Sequence, residues 1–87
     1  MSGSRALSFH RTIVTPGDRA KFLERAKGRR AYYDANGCRY WVFEESDLTG
    51  AFIEFTESND STALARAIAA APDTAVAEAR IYKEVAF

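Results

Sequence analysis

Glu54, His10, Arg39, Arg80 and Tyr82 are the side chains of this sequence whose types could share one piece of chemistry. Alternation along their strands allows all five onto one sheet face, among rings. A carboxylate or imidazole in such an apolar setting has its pKa moved toward neutrality and can serve as a general base on an activated carbon acid. Glu54 and His10 are therefore the candidate catalytic residues. Arg39, Trp41, Phe43, Arg80 and Tyr82 are the candidate substrate-binding residues, with Trp41 and Phe43 able to stack a flat aromatic compound. The same residues admit a purely structural role. Glu54 and Glu78 could pair with Arg39 and Arg80 inside a subunit interface that Trp41 fills, because buried ion pairs also perturb pKa values without catalysis.

Other chemistries find less support. His10 is the single histidine and has no partner ligand in the pattern, so no metal and no cofactor is expected. Cys38 is also single, which excludes an internal disulfide, and it reads as a small packing residue. The glycines form no phosphate-binding pattern. Twelve basic and twelve acidic residues cancel, leaving no overall field to attract nucleic acid. The basic residues Arg19, Lys21, Arg25, Lys27, Arg29 and Arg30 point in several directions and are interrupted by Asp18, Glu24 and Asp34, the pattern of a solvated helix face. The first residues lack the apolar core of a secretory signal, and no apolar run approaches the roughly 18 residues that span a bilayer. No nucleic acid, no membrane and a cytoplasmic location are expected.

These side chains need a scaffold, and 87 residues supply one domain with a modest core. Ala6 to Val14 reads as a strand, ended by Thr15, Pro16 and Gly17. Thr15 can cap a helix whose first turn accepts Pro16, and Phe22, Leu23, Ala26 and Tyr33 form its apolar stripe until Asn36-Gly37 ends it. Tyr32, beside the stripe, could line the mouth of a cavity and offer its hydroxyl to a ligand. A second strand from Cys38 to about Glu45 and a third from Ala51 to Glu57 flank the turn-rich "SDLTG" as a hairpin. Asn59, Asp60 and Ser61 are alternative caps for a second helix carrying Leu64 and Ile68 and closed by Pro72. Alternation returns from Ala75 to Phe87 as a fourth strand. The order is βαββαβ, an α+β chain with the ferredoxin-like motif, in which an antiparallel sheet carries both helices on one face.

Composition assigns the faces. Ala77, Ala79 and Ile81, Ile53 and Phe55, and Tyr40 and Val42 are expected toward the helices. The far side should hold Glu78, Arg80, Tyr82 and Glu84, Phe52, Glu54 and Thr56, and Arg39, Trp41, Phe43 and Glu45. The first strand is open between His10 and Arg11 facing outward, with His10 and Thr12 favoured. The far side then carries Trp41, Phe43, Phe52 and Tyr82, too apolar to stay wet. A homodimer through this helix-free face covers it most simply.

The stretches "TPGDRAKFLERA", Thr15 to Ala26, "GCRYWVFEE", Gly37 to Glu45, and "AFIEFTES", Ala51 to Ser58, resemble the antibiotic biosynthesis monooxygenase-like branch of the dimeric α+β barrel superfamily, over nearly the whole chain. The resemblance implies two ferredoxin-like sheets closing a barrel in a dimer. It implies a cofactor-independent oxygenase, or a cyclase or isomerase, acting on a small aromatic or polyketide-like compound. A non-catalytic dimeric module that binds a small molecule or serves only as a structural element is the alternative. Haem-degrading members depend on a third-strand Trp and a His on the second helix. This chain has Thr56 at the first position and no histidine in the second helix, so that activity is disfavoured.

Overall fold

Alternating residues from Ala6 to Ile13 form the first strand, β1, and Pro16 converts the chain into a short 3-10 turn, Pro16–Asp18, that runs into helix α1, Arg19–Ala35. The computed structural model describes residues 4–72 and 80–87. At the end of α1, Asn36 Nδ2 donates to the Tyr32 carbonyl at 2.7 Å and Gly37 takes φ 76°, the left-handed conformation that glycine adopts without a Cβ penalty. Strands β2, Arg39–Glu44, and β3, Ala51–Ser58, form the hairpin. Helix α2, Ser61–Ala69, follows, and of its three possible caps Asp60 is the one used, accepting from the Thr62 N–H at 2.9 Å. Strand β4 is Tyr82–Lys83; the earlier part of the expected last strand, with Ala77, Glu78 and Ala79, lies outside the described residues.

The sheet order is β2-β3-β1-β4 and each neighbouring pair is antiparallel, an α+β arrangement compatible with the ferredoxin-like motif. Both helices lie on one face. Ala26 and Tyr33 of α1 meet Leu64 and Ala67 of α2 in one buried cluster with Ala6, Cys38 and Tyr40, and Ile81 packs against it as expected. A second cluster joins Phe22, Phe52 and Val14, the two rings stacked with centroids 4.5 Å apart. Leu23 is exposed: Phe22, Ala26 and Tyr33 define the buried stripe, and Leu23 lies about 100° round the helix from Phe22. No helix among the described residues is long and apolar enough to cross a membrane.

The facing of two strands departs from expectation. Opposite residues of an antiparallel pair share a face, and Tyr40, Val42 and Glu44 stand opposite Thr56, Glu54 and Phe52. Tyr40 packs under α1, so Phe52, Glu54 and Thr56 face the helices, and Ile53 and Phe55 face away. Composition misleads here because both faces of β3 carry rings. Glu54 in turn stands opposite His10, which puts His10 and Thr12 on the helix side and Phe9, Arg11 and Ile13 on the free side. The facing of β2 is as expected, with Trp41 and Phe43 outward.

Two features fix the hairpin, one against α1 and one against the end of β1. Arg19 grips Glu44 with two hydrogen bonds of 2.7 and 2.9 Å, while the Gly50 N–H donates to Glu44 Oε2 at 2.9 Å. The Arg19 bonds, with the Gly50 amide, hold the Glu44 carboxyl down to about 2. A carboxyl whose pKa is lowered by folding contributes stability that is complete above its unfolded value of about 4.5 and lost as pH falls toward 2. Glu44→Gln should therefore weaken the protein at neutral pH and flatten the loss of stability between about pH 5 and 2.5, read from urea midpoints across that range.

Gly50 is the second feature. Its φ is 90°, its carbonyl accepts from the Val14 N–H at 2.8 Å, and a Cβ there would sit 2.4 Å from the Val14 carbonyl oxygen. Gly50→Ala should cost about 2 kcal/mol or more, lowering the melting temperature by roughly 8 °C or more in thermal unfolding.

Candidate functional site

The sheet separates the side chains that the sequence suggests for one site. Glu54 and His10 lie on the helix side, whereas Arg39, Trp41, Phe43 and Tyr82 lie on the free side. Arg80 is exposed and makes no ion pair among the described residues. Two separate constellations result.

On the helix side, Glu54 is only 7% exposed. Its Oε1 accepts from Arg29 Nη1 at 2.6 Å and from the Tyr40 hydroxyl at 2.5 Å. Arg29 is three residues beyond Ala26 and four before Tyr33, so it shares the buried stripe of α1 and reaches the sheet. Tyr40 comes from the neighbouring strand, and its ring stacks on Tyr33 with centroids 5.7 Å apart and an interplanar angle of 17°. Burial, and then the adjacent Glu54 carboxylate, push the Tyr40 hydroxyl up, so it stays protonated and acts as a donor. Burial likewise pushes up the Tyr33 hydroxyl. His10 stands across from Glu54 in the pairing and is half-buried. The group is a buried carboxylate with two strong donors, suited to holding α1 on the sheet and to presenting a neutral phenol beside an anion.

Sequence reasoning treats Arg29 as one of many solvated charges and Tyr40 as an inward packing ring. The signal for Arg29 is its spacing within the Phe22, Ala26 and Tyr33 stripe. Tyr32, expected as a possible ligand contact, spends its hydroxyl on the Ala67 carbonyl at 2.7 Å and ties α1 to α2.

On the free side, the rings form a continuous surface. Tyr82 stacks on Phe9 at 5.3 Å and 19°, Phe9 lies 6.1 Å from Phe55, and Phe43 meets Phe55 edge-on at 5.6 Å. Trp41 stands opposite Phe55 in the pairing. One end of this face carries Glu57, 4% exposed, with Arg39 Nε donating to Oε1 at 2.6 Å and Arg5 Nε donating to Oε2. Arg39 also reaches Asn59 Oδ1 at 2.9 Å. The Arg39 contact, against the opposing effect of burial, keeps the Glu57 carboxyl below its ordinary range. Glu57 is thus the partner of Arg39, in place of Glu54, and Glu78 lies outside the described residues. It stands opposite Arg39 in the pairing, two residues from Phe55, a signal present in the alternation of β3. A pocket of about 300 Å³ here is lined by Trp41, Tyr82, Leu7, Glu57, Arg5 and Glu84 among others.

Comparison of the chain with known protein families, curated proteins and solved structures finds no match.

Removing the Tyr40 hydroxyl leaves Glu54 one donor short in a buried place. Tyr40→Phe should therefore cost about 1 to 3 kcal/mol in urea unfolding, with the fold retained by circular dichroism.

Proposed function

We propose that the protein is a homodimeric small-molecule-binding module of the dimeric α+β barrel type, with the helix-free sheet faces of two copies packed together. One observation carries the reading: Phe9, Ile13, Trp41, Phe43 and Tyr82, each 43–61% exposed, gather on one sheet face. Monomeric soluble proteins rarely leave so large an apolar patch wet. Covering the exposed part of each of these five side chains contributes on the order of 1 kcal/mol, and two copies bring about ten of them together, comparable with the 4 to 15 kcal/mol that association costs. A flat aromatic compound fits the pocket lined by Trp41 and Tyr82, whose aromatic walls suit ring stacking.

Trp41 is the single tryptophan, which makes the face its own reporter. The expected outcome is a dimer in sedimentation velocity at micromolar concentration, with tryptophan emission that shifts to the red on dilution. Trp41→Glu together with Phe9→Glu should give a folded monomer. A wild-type monomer, or association unchanged by both substitutions, overturns the reading.

A second reading, base-assisted chemistry on an aromatic or polyketide-like carbon acid, as in a cofactor-independent oxygenase, cyclase or isomerase, is favoured by the pairing of Tyr40 with Glu54. There Glu54 or His10 would take a proton from carbon and the Tyr40 phenol would donate to the resulting enolate oxygen. It ranks second because Glu54 is occupied by Arg29 and Tyr40, on the opposite side of the sheet from the rings. If Glu54→Gln and His10→Ala variants stay folded and keep full turnover of a substrate found by screening, neither residue is the base.

A further inference from the structure

We propose that a separate pocket of about 220 Å³, between α1 and the residues that follow α2, binds a small aromatic carboxylate. It lies on the helix side of the protomer, away from the ring-bearing face, and it does not depend on association.

Charge selects an anion. Arg25 and Arg29, one helical turn apart, both line the pocket, and no acidic side chain among the described residues does. The two arginines play different parts. Arg29 is mostly buried and its charge is matched by Glu54, so it fixes the floor of the pocket and leaves the selection of an anion to Arg25. Arg25 is exposed and has no ion pair among the described residues, so its guanidinium fork is available at the mouth for two parallel hydrogen bonds to a carboxylate.

Shape selects a ring. Tyr32 and Tyr33 meet at 76° with centroids 5.0 Å apart and make an aromatic corner, and Pro72 supplies a third apolar wall. The corner is set before a ligand arrives, because the Tyr32 hydroxyl is bonded to the Ala67 carbonyl and Tyr33 is stacked on Tyr40. Preorganised walls lower the entropic cost of binding. A volume of about 220 Å³ lies below the 300 to 1,000 Å³ typical of sites for drug-sized ligands, which fits a one-ring compound.

Gly28 gives the pocket its opening and the proposal its sharpest test. It lies between the two arginines on α1, and a Cβ built on it meets nothing within 4 Å. A Cβ there has open space beside the cavity that Gly28 lines, and a larger residue replaces one that disfavours helix. Gly28→Leu should melt no lower than wild type.

The experiment is a calorimetric titration of the full chain with benzoate, benzamide and inorganic phosphate, repeated on Gly28→Leu and Arg25→Gln. Benzoate should bind wild type at least about tenfold more tightly than benzamide, the neutral analogue of the same shape, and phosphate should be weaker than benzoate. Gly28→Leu should abolish benzoate binding, and Arg25→Gln should reduce it by about tenfold or more. Equal affinity for benzoate and benzamide, phosphate binding as tight as benzoate, no benzoate binding to wild type, or benzoate binding unchanged in Gly28→Leu each overturns the proposal. The dimer reading is untouched by any of these outcomes, since sedimentation tests it separately.

Discussion

Antiparallel pairing through Glu54 constrains everything else in this small sheet. It stands opposite Val42 on one side and His10 on the other, so a single residue couples the facing of three strands. A slip by one position would turn every side chain of β3 to the other face. The slip is blocked at the hairpin, where Gly50 turns at positive φ against the Val14 carbonyl and Glu44 collects Arg19 and the Gly50 amide. It is blocked again at the middle of the strand, where Arg29 and Tyr40 have donors waiting on the helix side.

A buried carboxylate is costly unless donors meet it, and the two that meet Glu54 come from different elements. Tyr40 is fixed to the sheet, whereas Arg29 is fixed to α1, so satisfying Glu54 sets where the helix sits. An apolar residue of similar size at position 54 could bury as well or better, because desolvating an ion pair offsets much of its attraction. What the ion pair supplies beyond burial is direction: only one rotation of α1 brings Arg29 to Glu54 while Phe22 reaches Phe52 and Tyr33 reaches Tyr40.

Element order, the end of α1 and the facing of β2 were legible in the sequence because each rests on local signals, whereas the Thr15 side chain makes no cap hydrogen bond and α1 begins only at Arg19, after a 3-10 turn. Pro16 and Asn36-Gly37 mark boundaries by their own backbone chemistry, the choice among Asn59, Asp60 and Ser61 is made by the Asp60 side chain in the structure, and Tyr40 and Val42 against Trp41 and Phe43 show a plain alternation. The facing of β1 and β3 was not legible, since Phe52 and Phe55 are equally apolar and lie on opposite faces. What decides between them is Arg29, 25 residues away in sequence, which makes an inward Glu54 tolerable. The candidate site was misread for the same reason. Grouping Glu54 with Arg39 and Trp41 assumed that a charged residue belongs on the outer face, and a buried ion pair reverses that assumption. The Arg39 to Glu57 contact, by contrast, connects residues directly opposite one another, and alternation alone could have found it.

Once Glu54 is satisfied inside, the free face keeps a simple division. Its centre is rings and aliphatic side chains, from Tyr82 through Phe9 and Phe55 to Phe43. Its charges sit toward the ends, where Glu57 is held by Arg5 and Arg39 and Arg11 lies 3.4 Å from Glu45. An apolar middle with a polar, already paired rim is the usual anatomy of a protein interface. Paired rim charges matter for a self-complementary contact, because a two-fold axis can bring a protomer's charges against their own copies. Glu57 with its two arginines avoids leaving a bare carboxylate to repel its twin, so the surface supports the dimer reading through its charges as well as its rings.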